Sequence, residues 1–111
     1  MKEVLILEDK SETRKVLAGL VKEVHSDAVI YEAADEKTAY DIAMKRTIDL
    51  FLVDIILHPQ QHDDVSGGEF AQNIRKVDKY LFTPILIITS MYDPKMCMYS
   101  SVHCYQFIEK P

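Results

Sequence analysis

The sequence has few cysteines, no cluster of basic residues and no long apolar segment. Its two cysteines, Cys97 and Cys104, are too few for a disulfide framework and lack the paired spacing of a zinc site, which favours a reducing compartment. A net charge of −5 without a basic cluster argues against binding of nucleic acid or an anionic membrane by this segment itself. The longest apolar runs have about half the length that a membrane-spanning helix needs.

The N-terminus also lacks the layout of a signal peptide, because Met1-Lys2-Glu3-Val4 passes directly into a strand-like run. We therefore expect a cytoplasmic protein. With 111 residues and 48% hydrophobic content, the chain suits one compact domain with a sizeable core.

Five apolar runs alternate with segments of helical periodicity, which predicts an α/β fold with a parallel sheet covered on both faces. The predicted strands cover residues 3–7, 28–33, 49–57, 85–88 and 105–108. No helical pattern follows the fifth strand, so we expect residues 1–111 to form a domain that stops before its last helix.

The segments between the runs predict four helices. We expect Ser11 to cap the first, Asp35 the second and Asp93 the fourth, with Pro94 at the first helical position. Apolar residues spaced by three and four should face the sheet. They are Val16, Leu17, Leu20, Val21 and Val24 in the first helix, Ala39, Ile42 and Ala43 in the second, and Phe70, Ile74 and Val77 in the third.

Asp54 is the anomaly of the third run, because its neighbours on both sides are apolar. Burial of an isolated carboxylate is costly, so such a residue must be paired, hydrogen-bonded, metal-bound or at the end of its strand. A polar, turn-rich loop follows the run, which places Asp54 near the strand end. Taken alone, this pattern also allows an ordinary Asp that caps the loop.

Reactive side chains end four of the predicted strands. Glu8 and Asp9 follow the first, Asp54 the third, Thr89 the fourth and Lys110 the fifth. If the strand order is 2-1-3-4-5, the three carboxylates share one crevice at the carboxyl edge of the sheet. Like charges at close range need a cation, and Mg²⁺ prefers carboxylates, waters and substrate oxygens. With a hydroxyl and an ammonium group added, the set predicts a phosphoryl-transfer centre with Asp54 as nucleophile.

These positions, with Pro111 after Lys110, resemble the CheY-like receiver domain of bacterial two-component response regulators. The resemblance implies a flavodoxin-like, doubly wound sheet of five parallel strands in the order 2-1-3-4-5, over the whole chain except a missing last helix. It also implies that Asp54 accepts a phosphoryl group from a sensor histidine kinase. The chain would then be a signalling switch rather than a turnover enzyme.

The resemblance further implies a role for each site residue. The Mg²⁺ ligands would be Glu8, Asp9, Asp54 and the backbone carbonyl of Ile56. Lys110 would contact one phosphoryl oxygen, and the hydroxyl of Thr89 would move toward another after transfer. Phe107 stands at the switch-aromatic position and would rotate inward as Thr89 moves.

Three features depart from the usual receiver pattern. The first acid is Glu8 rather than Asp, which implies a reach to the metal through water. The loop over residues 59–67 is longer than usual, and we expect it to change the access to Asp54. Ile56 and Met91 flank the site with apolar groups, which should slow attack by water on the phosphorylated state.

The stretches 82–85 and 89–92, with the ending Glu109-Lys110-Pro111, are similar to receivers of regulators that carry a LytTR-type DNA-binding domain. Such an output domain would bind DNA and regulate transcription, outside this chain. The resemblance implies homodimers that form through the fourth helix and the fifth strand.

Other interpretations of the same residues remain open. Glu8 and Asp9 also suit an acidic helix N-terminus favoured by the helix dipole. Thr89 suits a β-branched strand end, Lys110 a solvated terminal lysine and Phe107 a core aromatic. The rival functions are an Asp-nucleophile phosphatase, which usually has a second acid two residues after its nucleophile, and an unphosphorylated interaction module.

Overall fold

The computed structural model describes the backbone of residues 2–54, 66–89 and 106–109, and the side chains of residues 2–54 and 70–88. In chain order the elements are β1 (Glu3–Leu7), α1 (Ser11–Val24), β2 (Val29–Ala33), α2 (Glu36–Lys45), β3 (Leu50–Asp54), α3 (Ser66–Arg75), a short 3₁₀ helix (Asp78–Tyr80), β4 (Ile85–Thr89) and β5 (Gln106–Glu109). None of the helices in these ranges is long and apolar enough to cross a membrane. The predicted fourth helix, with Asp93 as its cap, lies outside the described residues.

The five strands form one parallel sheet in the order β2-β1-β3-β4-β5. This confirms the predicted flavodoxin-like, doubly wound architecture. The chain leaves β1 toward β2 on one side and returns to place β3 on the other side, so the direction of winding reverses between β1 and β3. The carboxyl edge at such a reversal is where open α/β sheets bind ligands.

Side chains alternate along each strand and divide the core into two layers. The layer beneath α2 and α3 contains Leu5, Leu7, Phe51, Val53, Ile85 and Ile87, with Ala39, Ala43, Phe70 and Ile74 from the helices. The layer beneath α1 contains Val4, Ile6, Leu52 and Ile88, with Leu17, Ala18 and Val21 packed against it. Glu8 follows Ile6 by two residues, and Asp54 follows Leu52 by two. Both acids therefore continue the layer beneath α1 at the strand ends.

The second helix begins as predicted. Oδ1 of Asp35 accepts a hydrogen bond from the backbone N–H of Thr38 at 2.8 Å, and this bond lowers the pKa of Asp35. Ala39 and Ala43 are fully buried, as are Phe70 and Ile74 of α3. These four positions confirm the predicted inward faces of α2 and α3. Ile42 and Val77 are only partly buried against the same core, and Val77 lies beyond the end of α3 rather than within it.

The first helix differs from the prediction in two respects. Its N-cap is Lys10, whose side chain makes no capping hydrogen bond, and Ser11 is the first helical residue. Leu17 and Val21 pack against the sheet, but the other three predicted core residues do not lie inside. Val16, Leu20 and Val24 are 59%, 53% and 76% exposed. Residues four apart follow one line along a helix, so these three form an adjacent line that the sheet layer beneath α1 does not cover.

The opposite, amino edge of the sheet is held by a polar cluster around Glu3. Its Oε1 accepts hydrogen bonds from the hydroxyl of Tyr31 at 2.7 Å and from Nη2 of Arg46 at 2.8 Å. The hydrogen bond from Tyr31, followed by that from Arg46, lowers the pKa of Glu3. The backbone N–H of Glu3 donates to the carboxylate of Asp49 at 2.9 Å, which ties the start of β1 to the residue before β3.

Candidate metal centre

Three carboxylates meet at the carboxyl edge of the sheet. One side-chain oxygen each of Glu8, Asp9 and Asp54 lies within 4.8 Å of the others. Glu8 is fully buried, Asp54 is 4% exposed, and Asp9 has intermediate exposure. The strand order thus brings together acids from distant parts of the chain, since Glu8 and Asp54 are 46 residues apart.

The register of β1 against β3 explains why the carboxylates of Glu8 and Asp54 lie close together. Leu7 pairs with Val53, so the next residue on each strand, Glu8 and Asp54, reaches the same level of the sheet. The backbone N–H of Glu8 donates to the carbonyl of Ala33 at 3.0 Å, which continues the pairing with β2 one residue beyond β1. Glu8 therefore keeps a strand-like position although the regular strand ends at Leu7.

The donor set suits a hard divalent cation. Three carboxylates at this range repel one another, and a bound cation removes that repulsion. Two oxygens that each lie about 2.1 Å from one Mg²⁺ are at most about 4.2 Å apart. A spacing of up to 4.8 Å is therefore close to a bound geometry, and small rotations of the side chains would complete it. The residues present can hold a metal ion.

The backbone of Glu8 is fixed by a residue that the sequence analysis did not identify. Nη1 of Arg14, in the first turn of α1, donates to the carbonyl oxygen of Glu8 at 2.7 Å. Nε of the same guanidinium lies 3.0 Å from Oε1 of Glu32 in β2. Oε2 of Glu8 accepts a hydrogen bond from the backbone N–H of Asp9 at 3.1 Å. The turn that carries both acids is thus held at its backbone and at one carboxylate.

The remaining predicted site residues are described only in part. Thr89 is the last residue of β4, one position after Ile88, which pairs with Asp54. Phe107 lies in β5 and pairs with Ile87. The side chains of Thr89 and Phe107 lie outside the described part of the structure. Ile56 and Lys110 lie outside it entirely. The roles of these four residues therefore stay predictions.

Comparison with known proteins gives one family and several relatives. The family model described as the response regulator receiver domain matches residues 4–111. The sensory transduction protein LytT of Bacillus subtilis is 26% identical over the whole chain, which spans 43% of the length of LytT. This relative agrees with the resemblance to LytTR-type regulators.

Two solved structures illustrate the similarity of the fold. The chemotaxis protein CheY4 of Vibrio cholerae superposes with a TM-score of 0.83 at 26% identity, covering all of this chain and 88% of CheY4. The response regulator TrrA of Thermotoga maritima, in complex with Mg²⁺ and BeF, superposes with a TM-score of 0.78 at 21% identity, with the same two coverages. These structures share the architecture described above.

Proposed function

Because the chain belongs to the response regulator receiver family, we propose that Asp54 is its phosphoacceptor and that Glu8 and Asp9 hold Mg²⁺ beside it. The observation that carries the proposal is the meeting of the three carboxylates within 4.8 Å at the winding reversal of the sheet. Asp54 is 4% exposed, so its surroundings exclude most water from the carboxylate.

The proposed reaction is transfer of a phosphoryl group from a histidine kinase. A carboxylate oxygen of Asp54 forms a bond to phosphorus as the bond from phosphorus to the imidazole nitrogen of the kinase breaks, which leaves an acyl phosphate on Asp54. Bound Mg²⁺ supplies positive charge for the phosphoryl oxygens. Lys110 would add a second positive charge and Thr89 a hydrogen bond, as their positions in the receiver pattern imply.

We assign Mg²⁺ rather than a softer metal because the donor set contains carboxylates and no thiolate or imidazole among the described residues. The backbone carbonyl of Ile56 is the proposed fourth protein ligand. The TrrA receiver was solved with Mg²⁺ and BeF, which supports the same metal here.

Phosphorylation is proposed to switch the domain between two packings. Nearly complete switching needs about 5.5 kcal/mol of differential stabilisation, and the contacts of the phosphate with Thr89 and Lys110 are the proposed source. Phe107 would rotate inward as Thr89 moves toward the phosphate. Two copies of the domain would then associate through the fourth helix and β5 to form a homodimer. The output would be a LytTR-type DNA-binding domain elsewhere in a longer cytoplasmic protein, of which this chain is the non-enzymatic receiver.

The test is phosphorylation by a small phosphodonor in the presence of Mg²⁺, followed by intact mass spectrometry. We expect one added phosphate in the wild type, none in Asp54→Asn, and none when the metal is chelated. Asp41→Asn is the matched control, because Asp41 is exposed on α2.

Two outcomes would contradict the proposal. Absence of an adduct on the wild type would favour the unphosphorylated interaction module. Continuous hydrolysis of a phosphomonoester, lost in Asp54→Asn, would favour the phosphatase.

A further inference from the structure

Arg14 connects the acid cluster to β2. Its Nη1 donates to the carbonyl oxygen of Glu8 at 2.7 Å, and its Nε pairs with Oε1 of Glu32 at 3.0 Å. Its side chain is only 15% exposed, against 33% for Glu32. The planar guanidinium can make both bonds at once because its donors point in fixed directions.

We propose that Arg14 is a positioning residue that sets the affinity of the acid cluster for a divalent cation. This inference rests on the proposed function, since it assumes that Glu8, Asp9 and Asp54 bind Mg²⁺. Glu8 and Asp9 stand between the last residue of β1 and the N-cap of α1. The bond from Arg14 to the carbonyl oxygen of Glu8 fixes the backbone from which both acids project.

The charge of Arg14 acts on metal affinity in the opposite direction from its hydrogen bond to Glu8. A guanidinium beside three carboxylates competes with a metal cation for the same negative charge, so its removal alone would strengthen metal binding. Glu32 offsets this effect, because its carboxylate pairs with the guanidinium at 3.0 Å. The pair carries no net charge and is partly exposed, so its residual field at the metal is weak and screened by salt. Positioning is therefore the larger effect.

The experiment is a calorimetric titration of the folded protein with Mg²⁺, accompanied by urea unfolding without metal. Arg14→Ala is expected to raise the Kd for Mg²⁺ about 10-fold, the lower end of the effect seen for residues that orient metal ligands. Arg14→Lys should restore only part of the affinity, because a single ammonium cannot reproduce both directed bonds. Glu32→Gln keeps an oxygen that can accept from Nε but leaves the guanidinium charge uncompensated, so it should raise the Kd more at low salt than at high salt.

Lys22→Ala is the matched control. Lys22 is a cation of the same helix and donates to the carbonyl of Ala28, at the other end of α1 from the acids. Its loss removes one positive charge and the bonds to the backbone carbonyls of Ser26 and Ala28, so a general effect of lost charge or of lost carbonyl bonds would appear in both variants. We expect the Kd for Mg²⁺ to stay unchanged in Lys22→Ala.

The outcomes separate this inference from the proposed function. A wild-type protein without measurable Mg²⁺ binding would overturn the metal site itself. A wild type that binds, with Arg14→Ala binding equally or more tightly, would overturn the role of Arg14 and leave the metal site standing. A purely structural role would lower the urea midpoint without changing the Kd. If Arg14→Ala does not fold, an unchanged Kd in Arg14→Lys overturns the inference in the same way.

Discussion

The hydroxyl of Tyr80 lies 2.6 Å from the carbonyl oxygen of Ala43, a residue 37 positions earlier in the chain. The same hydroxyl lies 2.8 Å from the carbonyl of Arg46 and accepts a hydrogen bond from the backbone N–H of Ile48 at 3.2 Å. Tyr80 is fully buried, and its ring packs edge-on against Phe51 at 5.0 Å. One side chain thus joins the end of α2, the approach to β3 and the segment before β4.

Replacement of Tyr80 by Phe should destabilise the fold by about 1–3 kcal/mol, because it leaves the carbonyl of Ala43 and the N–H of Ile48 without this buried partner. The free energy of unfolding in urea measures the effect. Tyr40→Phe is the control, since the hydroxyl of Tyr40 makes an exposed bond with Asn73 and its loss should cost less than about 1 kcal/mol. Equal losses in the two variants would contradict this account of Tyr80.

Replacement of Asp35 by Ala should lower stability by about 1 kcal/mol at neutral pH, the usual effect of removing an N-cap. The pKa of Asp35 is lowered in the folded state by the N–H of Thr38. Its contribution is therefore complete above the ordinary carboxyl pKa and disappears as the pH falls through the depressed one. Asp35→Asn should keep most of the cap but lose this pH dependence. Urea unfolding of the three proteins at several pH values tests both expectations, and an unchanged pH profile in Asp35→Asn would refute the assignment.

Removal of the hydrogen bond from Tyr31 should raise the pKa of Glu3. Tyr31→Phe deletes the hydrogen bond that lowers this pKa most, while Arg46 still lowers it. Because the pKa of Glu3 is depressed in the folded state, its contribution to stability is present above the ordinary pKa and lost as the pH falls through the folded value. The variant should therefore lose less stability through Glu3 on acidification. Titration of the Glu3 carboxyl carbon by NMR gives the pKa directly, and the same value in wild type and variant would rule out the role of Tyr31.

Mg²⁺ should stabilise the protein through the acid cluster. At free Mg²⁺ one hundred times the Kd, the expected gain is about 2.7 kcal/mol. Asp54→Asn removes one of three mutually repelling charges, so we expect it to be more stable than the wild type without metal and to gain less from Mg²⁺. Thermal unfolding with Mg²⁺, with Na⁺ at equal ionic strength and with a chelator separates specific binding from screening. An equal gain from Mg²⁺ in Asp54→Asn would show that the ion acts elsewhere.

The acid cluster was predictable because it follows from topology alone. Apolar runs place the strands, parallel strands end at one edge, and Glu8, Asp9 and Asp54 each stand at such an end. Asp35 was predictable for a similar reason, since a capping residue and the helix it begins are adjacent in sequence.

Contacts between distant side chains were not predictable in this way. Arg14 and Glu32 are 18 residues apart, and Tyr80 reaches Ala43 across 37. No periodicity marks such pairs, because they depend on how elements pack rather than on how each one forms. The exposure of Val16, Leu20 and Val24 has a related cause. Helical spacing identifies an apolar face but not how much of that face a neighbouring layer covers.

Side chains alternate between the two faces of the sheet, so the pairing of Leu7 with Val53 fixes the face on which the side chain of Asp54 lies. Deletion of a single residue between Leu50 and Asp54 would turn the terminal carboxylate to the opposite side of the sheet, beneath α2 and α3, where Phe51 and Val53 now lie. A substitution within β3 leaves this alternation unchanged, so we expect the strand to tolerate changes of side chain but no change in its number of residues.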